Sequence, residues 1–162
     1  MQKKDPAENS GFLKYFYRDW RPTRLGRLWT RIYAWLARKG VAPDLLISLE
    51  VKDRNTGVYC AHVLVPVLYG GHRYLVSMLG PYSSWVLDVR AAQGAALEKK
   101  GGPAQAVALT EIPAFQRAPI LKAWCQVATS GRKHLPVAYD SAISEFESIA
   151  SDYPVFRIDS MP

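Results

Sequence analysis

The stretch that decides the fold is VYCAHVLVPVLYGGHRYLVSML, residues 58–79. Two runs rich in Val, Leu and aromatic residues flank a Gly70-Gly71 pair, the pattern of a β-hairpin with a two-residue turn. Working outward, LLISLEVK (45–52) reads as a strand that enters the polar turn DRNTG (53–57) before the run at 58–69. AALEKK (95–100) and PAQAVALTEI (103–112) flank Gly101-Gly102 as a second Gly-Gly hairpin. YPVFRI (153–158) reads as a closing strand. Between strands, SSWVLDVRAA (83–92) reads as a helix. Pro113 opens another over 114–128, with Phe115, Ile120, Leu121 and Trp124 on its apolar side, and AYDSAISEFESIA (138–150) reads as a third. Successive antiparallel hairpins with inserted helices predict an α+β chain, mainly β: a small barrel decorated by helices, with an open sandwich as the competing architecture. Strands and helices do not alternate in βαβ order, which argues against a dinucleotide-binding sheet.

The 162 residues suit one domain, and 49% hydrophobic with 22% charged residues is a globular composition. The net charge of +7 is unevenly placed. Residues 1–39 carry ten basic and three acidic residues, and the remaining eleven of each sign cancel. The chain therefore divides into a basic segment (1–40) and a neutral barrel domain (41–162). Within the segment, 1–10 reads as a loose tail and 11–20 as a short aromatic helix. Residues 23–39 read as an amphipathic helix, with Leu25, Leu28, Trp29, Ile32, Tyr33, Trp35 and Leu36 at helical spacing and most of its arginines on the other face. Three roles compete for it: packing on the barrel, lying on an anionic membrane surface through 11–39, or steering an anionic ligand or partner. No nucleic-acid motif accompanies the charge, so nucleic acid is not an expected partner. The start has no apolar leader, and Cys60 and Cys125 form no CxxC pair, so a cytoplasmic protein with reduced thiols is expected, peripheral on the inner membrane face if the segment binds lipid.

Ordinary chemical motifs are missing. His62, His72 and His134 share no metal-ligand spacing, and no GxSxG, Walker or GxGxxG pattern occurs. No base is placed near Ser77 by sequence. No side chain is expected to be an obligatory catalyst and no metal is expected, so any redox chemistry belongs to a cofactor.

Four stretches together, LEVKDRNTG, RYLVSMLGPYSSWVLDVRAA, EIPAFQRAPILKAW and YPVFRI, resemble the deazaflavin-dependent nitroreductase family over 45–158. These are split β-barrel oxidoreductases that use coenzyme F-420. The resemblance implies an FMN-binding-like split barrel, F-420 as cofactor with FMN the second choice, and hydride transfer to an electron-poor small molecule such as a nitro compound, quinone or enone. It implies a phosphate grip at Arg54, Asn55, Thr56 and Gly57. It implies ring contacts at Ser77, Met78 and Trp85, with cofactor-side helix positions at Asp88 and Arg90, of which Arg90 matches a basic position of the family. Trp124 is a candidate for the substrate pocket, and Arg117 is read as a solvated helix charge. The chain departs from the family's turn in having Asp53 for glycine, Asn55 for a basic residue and Cys60 at a later basic position, and has Asp88 where the family usually has Asn. These departures motivate an alternative: a non-catalytic split barrel that binds a hydrophobic ligand or partner. Oligomeric state is not legible.

Overall fold

One chain segment closes the sheet on itself. β4 (Tyr59–Leu64) and β5 (Pro66–Tyr69) are separated by Val65 alone, yet they stand at opposite ends of a seven-stranded sheet. The sheet runs β4-β3-β7-β8-β9-β6-β5, with β3 Ile47–Lys52, β6 His72–Val76, β7 Ala95–Lys99, β8 Gln105–Glu111 and β9 Val155–Ser160, and every pairing is antiparallel. Its two edges therefore meet at a bend, and the result is a split β-barrel. This computed structural model describes residues 46–100 and 102–161 together with the backbone of 17–18 and 21–22.

The run at 58–69 is one strand by composition and two in the structure. Pro66 has no N–H to offer a ladder, so pairing changes sides there. Before the bend, Tyr59 to Leu64 pair with β3; after it, Pro66 to Tyr69 pair with β6. Gly70 and Gly71 have φ of +54° and +80°, the two positive values that a two-residue hairpin between paired Tyr69 and His72 requires.

The bend is held from outside. Trp124 lies in α2 (Ala114–Val127), and its Nε1–H donates to the Val65 carbonyl at 3.0 Å. Gly131, in a short 3-10 turn (Gly131–His134), leaves room for the indole; a Cβ there would sit 2.6 Å from Trp124 Cη2. α2 and α3 (Ile143–Ile149) cover one outer face of the barrel, burying Ile120, Leu121, Trp124 and Phe146 against Val67, Tyr74, Val76 and Val155. The barrel interior is the second core. Ile47, Leu49 and Val51 of β3 face Leu75, Val107, Leu109, Phe156 and Ile158. α1 (Ser84–Ala91) plugs it with Trp85, Val86 and Val89.

Several expectations shift. The strand from His72 ends at Val76, so Ser77 and Met78 lie in the loop that follows. The last helix begins only at Ile143, after a turn, and the last strand runs Val155–Ser160. Arg117 is buried rather than solvated: Nε donates to Ile112 O at 2.7 Å, Nη1 to Ala150 O at 3.2 Å and Nη2 to Glu111 Oε1 at 3.0 Å. Three acceptors at the end of a strand and of a helix draw a guanidinium inward, where a solvated charge has no such partners. The short helix expected over 11–20 is contradicted at its end. β1 (Tyr17–Arg18) pairs with β2 (Arg21–Pro22), and Pro22 disfavours helical backbone at Arg21. The helix expected over 23–39 and the loose tail lie outside the described residues.

Replacing Trp124 by Phe leaves the Val65 carbonyl unpaired in the core. It should cost about 1–3 kcal/mol in denaturant unfolding. Gly131→Ala should cost a similar ~1–3 kcal/mol by crowding the same indole. Unchanged unfolding midpoints in both variants would mean that the bend does not depend on this contact.

Candidate functional site

The sequence places the implied site residues on four stretches of chain; the structure gathers some of them and commits the rest to internal bonds. The turn at 53–57 meets α1 through Arg54, whose Nη1 reaches Asp88 Oδ1 at 2.7 Å and whose backbone N–H reaches the same oxygen at 3.2 Å. Asp88 is buried, one turn along the helix from Trp85. Residues 34 positions apart are thereby joined.

Within the turn, Asp53 Oδ1 accepts from Asn55 N (2.9 Å), Thr56 N (2.8 Å) and Thr56 Oγ1 (3.0 Å). Gly57 N donates to the Asp53 carbonyl at 2.8 Å, and Gly57 takes φ +70° to close the turn. Hydrogen bonds from Thr56, then Asn55, hold the Asp53 carboxyl below the usual carboxylate range.

The loop from β6 to α1 is also internally bonded. Ser77 Oγ donates to Gly80 O at 2.7 Å and lies 2.7 Å from Ser83 Oγ; both serines are buried. Trp85 is buried, not exposed, and meets Phe156 edge to face with centroids 5.3 Å apart. Its indole therefore plugs the barrel. Met78 packs with the α2 core near Trp124 and the position of Gly131. Trp124 is 3% exposed, so it holds the bend and does not line an open pocket. Arg90 is clamped by Glu111 through Nε (2.9 Å) and Nη2 (2.8 Å) and also donates to Pro81 O. Arg90 first, and Arg117 after it, hold the Glu111 carboxyl below its ordinary value.

Two further groups face this region: Cys60, already noted as a departure from the family's turn, and His62, which has no role there by sequence. Cys60 and His62 stand opposite Val51 and Leu49, so they share the inward face of β4. The alternation in CAHVL carried that signal. His62 Nε2 is shut off from solvent and has no hydrogen-bond partner among the described residues. Burial pushes the imidazole down to about 4, against the pull of Asp88, so it is neutral at pH 7. Burial, then Asp53 and Asp88, push the Cys60 thiol up, which leaves it a poor nucleophile.

A phosphate-bearing deazaflavin would need the donors of the turn. Its backbone donors are taken: the N–H groups of 54, 55, 56 and 57 each bond to an oxygen of Asp53 or Asp88, while Arg54 commits one guanidinium nitrogen, Nη1, to Asp88. In this arrangement the turn's backbone has no free N–H at 54–57 to offer a phosphate. Among the described residues no three His, Cys, Asp or Glu side chains gather to hold a metal, and no helix is long and apolar enough to cross a membrane.

No family model matches the chain, and no curated protein matches it. Solved structures do. One, named as a domain-swapped dimer, is 15% identical, with 83% of this chain and 96% of that one aligned at a TM-score of 0.53. A protein of unknown function from Agrobacterium tumefaciens is 8% identical, with 81% and 55% aligned at 0.51. An F420-H2 dependent reductase (FDR-A) is 14% identical, with 71% and 94% aligned at 0.48. The likeness is one of fold: the chain has the split-barrel architecture.

The buried neutral imidazole sets a pH dependence. An unfolded chain binds a proton at His62 near pH 6.5 and the folded chain only near pH 4, so stability is full above 6.5 and falls as pH drops toward 4. The expected slope from this group is at most about 1.4 kcal/mol per pH unit. His62→Leu should flatten that part of the stability–pH curve in denaturant titrations; an unchanged slope would mean that His62 is solvated.

Proposed function

We propose that the chain is a split-barrel oxidoreductase of the deazaflavin-dependent kind, acting on an electron-poor organic small molecule such as a nitro compound, quinone or enone. The observation that carries the reading is the Arg54–Asp88 contact. It brings the 53–57 turn against α1, and these are the two stretches that the family resemblance assigns to one cofactor. The split-barrel fold is the one that the resemblance implies. The chain's own residues would shape and dry the site: Trp85 and Phe156 fill the barrel behind α1, and the Ser77–Ser83 pair fixes the loop above it. No side chain is placed as an acid–base pair, so the redox chemistry would be the cofactor's.

A second reading has its own observation. The Asp53 carboxylate takes up two backbone N–H groups and the hydroxyl of the turn, which favours a barrel that binds a hydrophobic ligand or partner and catalyses nothing.

Titrating the purified full chain into coenzyme F-420 and following the cofactor's fluorescence separates the two. Saturable quenching, followed by oxidation of the reduced coenzyme when a quinone or nitro compound is added, is the expected outcome. No saturable change up to about 1 mM protein, a binding energy weaker than about 4 kcal/mol, would overturn the enzyme reading and leave the second.

A further inference from the structure

We infer that the turn at 53–57 is an anion site filled from within, so that a ligand of this barrel is not held there by a phosphate. Successive backbone N–H groups in a tight turn converge on an anion. Here three of the four converge on the chain's own carboxylates. The N–H of Arg54 goes to Asp88 Oδ1, those of Asn55 and Thr56 go to Asp53 Oδ1, and that of Gly57 goes to the Asp53 carbonyl. Thr56 Oγ1 and Arg54 Nη1 complete the set on the same two carboxylate oxygens. The turn's backbone donors are thus spent.

Charge acts in the same direction. An incoming phosphate would meet the Asp53 carboxylate, which repels it, while the Arg54 charge that would attract it is already paired with Asp88. A tethered carboxylate competes at an effective concentration of millimolar or more, so dilute free phosphate does not displace it. Removing Asp53 would free two N–H groups and a hydroxyl; Asp88→Asn would remove the charge that faces Arg54 while keeping the shape. The filled turn rests on these contacts alone. That the ligand is a deazaflavin rests on the preceding reading, and it then follows that the phosphate-free deazaflavin nucleoside binds about as well as the coenzyme.

The test is a phosphate titration of the isotope-labelled full chain by NMR, reading the amides of residues 54–57. The native chain should show no saturable shift up to about 50 mM inorganic phosphate, whereas Asp53→Gly should show saturable shifts at a concentration at least about tenfold lower. Asp53→Asn, which keeps an acceptor for the turn, should lie between them and serves if the glycine variant misfolds. Saturable shifts in the native chain, or no gain in either variant, would overturn the inference. A parallel fluorescence titration compares coenzyme F-420 with its phosphate-free nucleoside. Affinities within about threefold are expected, and a coenzyme bound tenfold or more tightly with shifts at 54–57 would overturn the inference. If neither compound binds, the deazaflavin reading falls, and the inorganic phosphate titration still decides whether the turn is filled.

Discussion

A carbonyl at a bend is the constraint on which the rest of the architecture depends. Where the strand pair β4–β5 changes partners, Val65 has no ladder neighbour on one side, and its oxygen would be an unpaired acceptor inside a core. Trp124 resolves this with its indole N–H, and in doing so fixes where α2 sits on the barrel. The 3-10 turn at Gly131 must then accommodate the ring, and Met78 packs into the same place. The bend, the docking of α2 and the loop before α1 therefore meet at one hydrogen bond and one missing side chain.

Ion pairs tie the remaining pieces to that frame. Glu111, at the end of β8, receives Arg90 from α1 and Arg117 from α2, so one carboxylate anchors both helices to the same strand end. Inside the barrel, Arg73 makes a two-point contact with Glu98 at 2.6 and 2.7 Å, and Glu98 is buried. Such pairs add less net stability than their geometry suggests, because burying charge is expensive. Their larger effect is on register: Arg73 and Glu98 meet only if β6, β9, β8 and β7 are each aligned as they are.

What the sequence discloses and what it hides follow from the range of the interactions. Gly70-Gly71 is a local device, and the hairpin is legible from it. The helix at 84–91 is legible from the turn residues ahead of it. The partners of Trp124 and Arg54 are not, because Val65 and Asp88 lie 59 and 34 positions away. Arg117 reads as an ordinary helix charge until the carbonyls of Ile112 and Ala150 are in place beside it. The same holds at the site. Asp53 is visible as a departure from a glycine, but only the folded turn shows that its oxygen accepts the N–H groups of the two residues beyond Arg54.

The single residue between β4 and β5 also limits how this chain can vary in length. Side chains alternate between interior and exterior with a period of two, so one inserted or deleted residue in 59–69 would exchange inside for outside along half of the segment. Cys60, His62 and Leu64 would trade places with Tyr59, Ala61 and Val63, or Val67 would leave the helix-covered face. Neither half can shift to compensate, since each is locked to a different neighbour. A change in length is therefore absorbed more readily in the turns at 53–57 and 70–71 that bound this segment than within it.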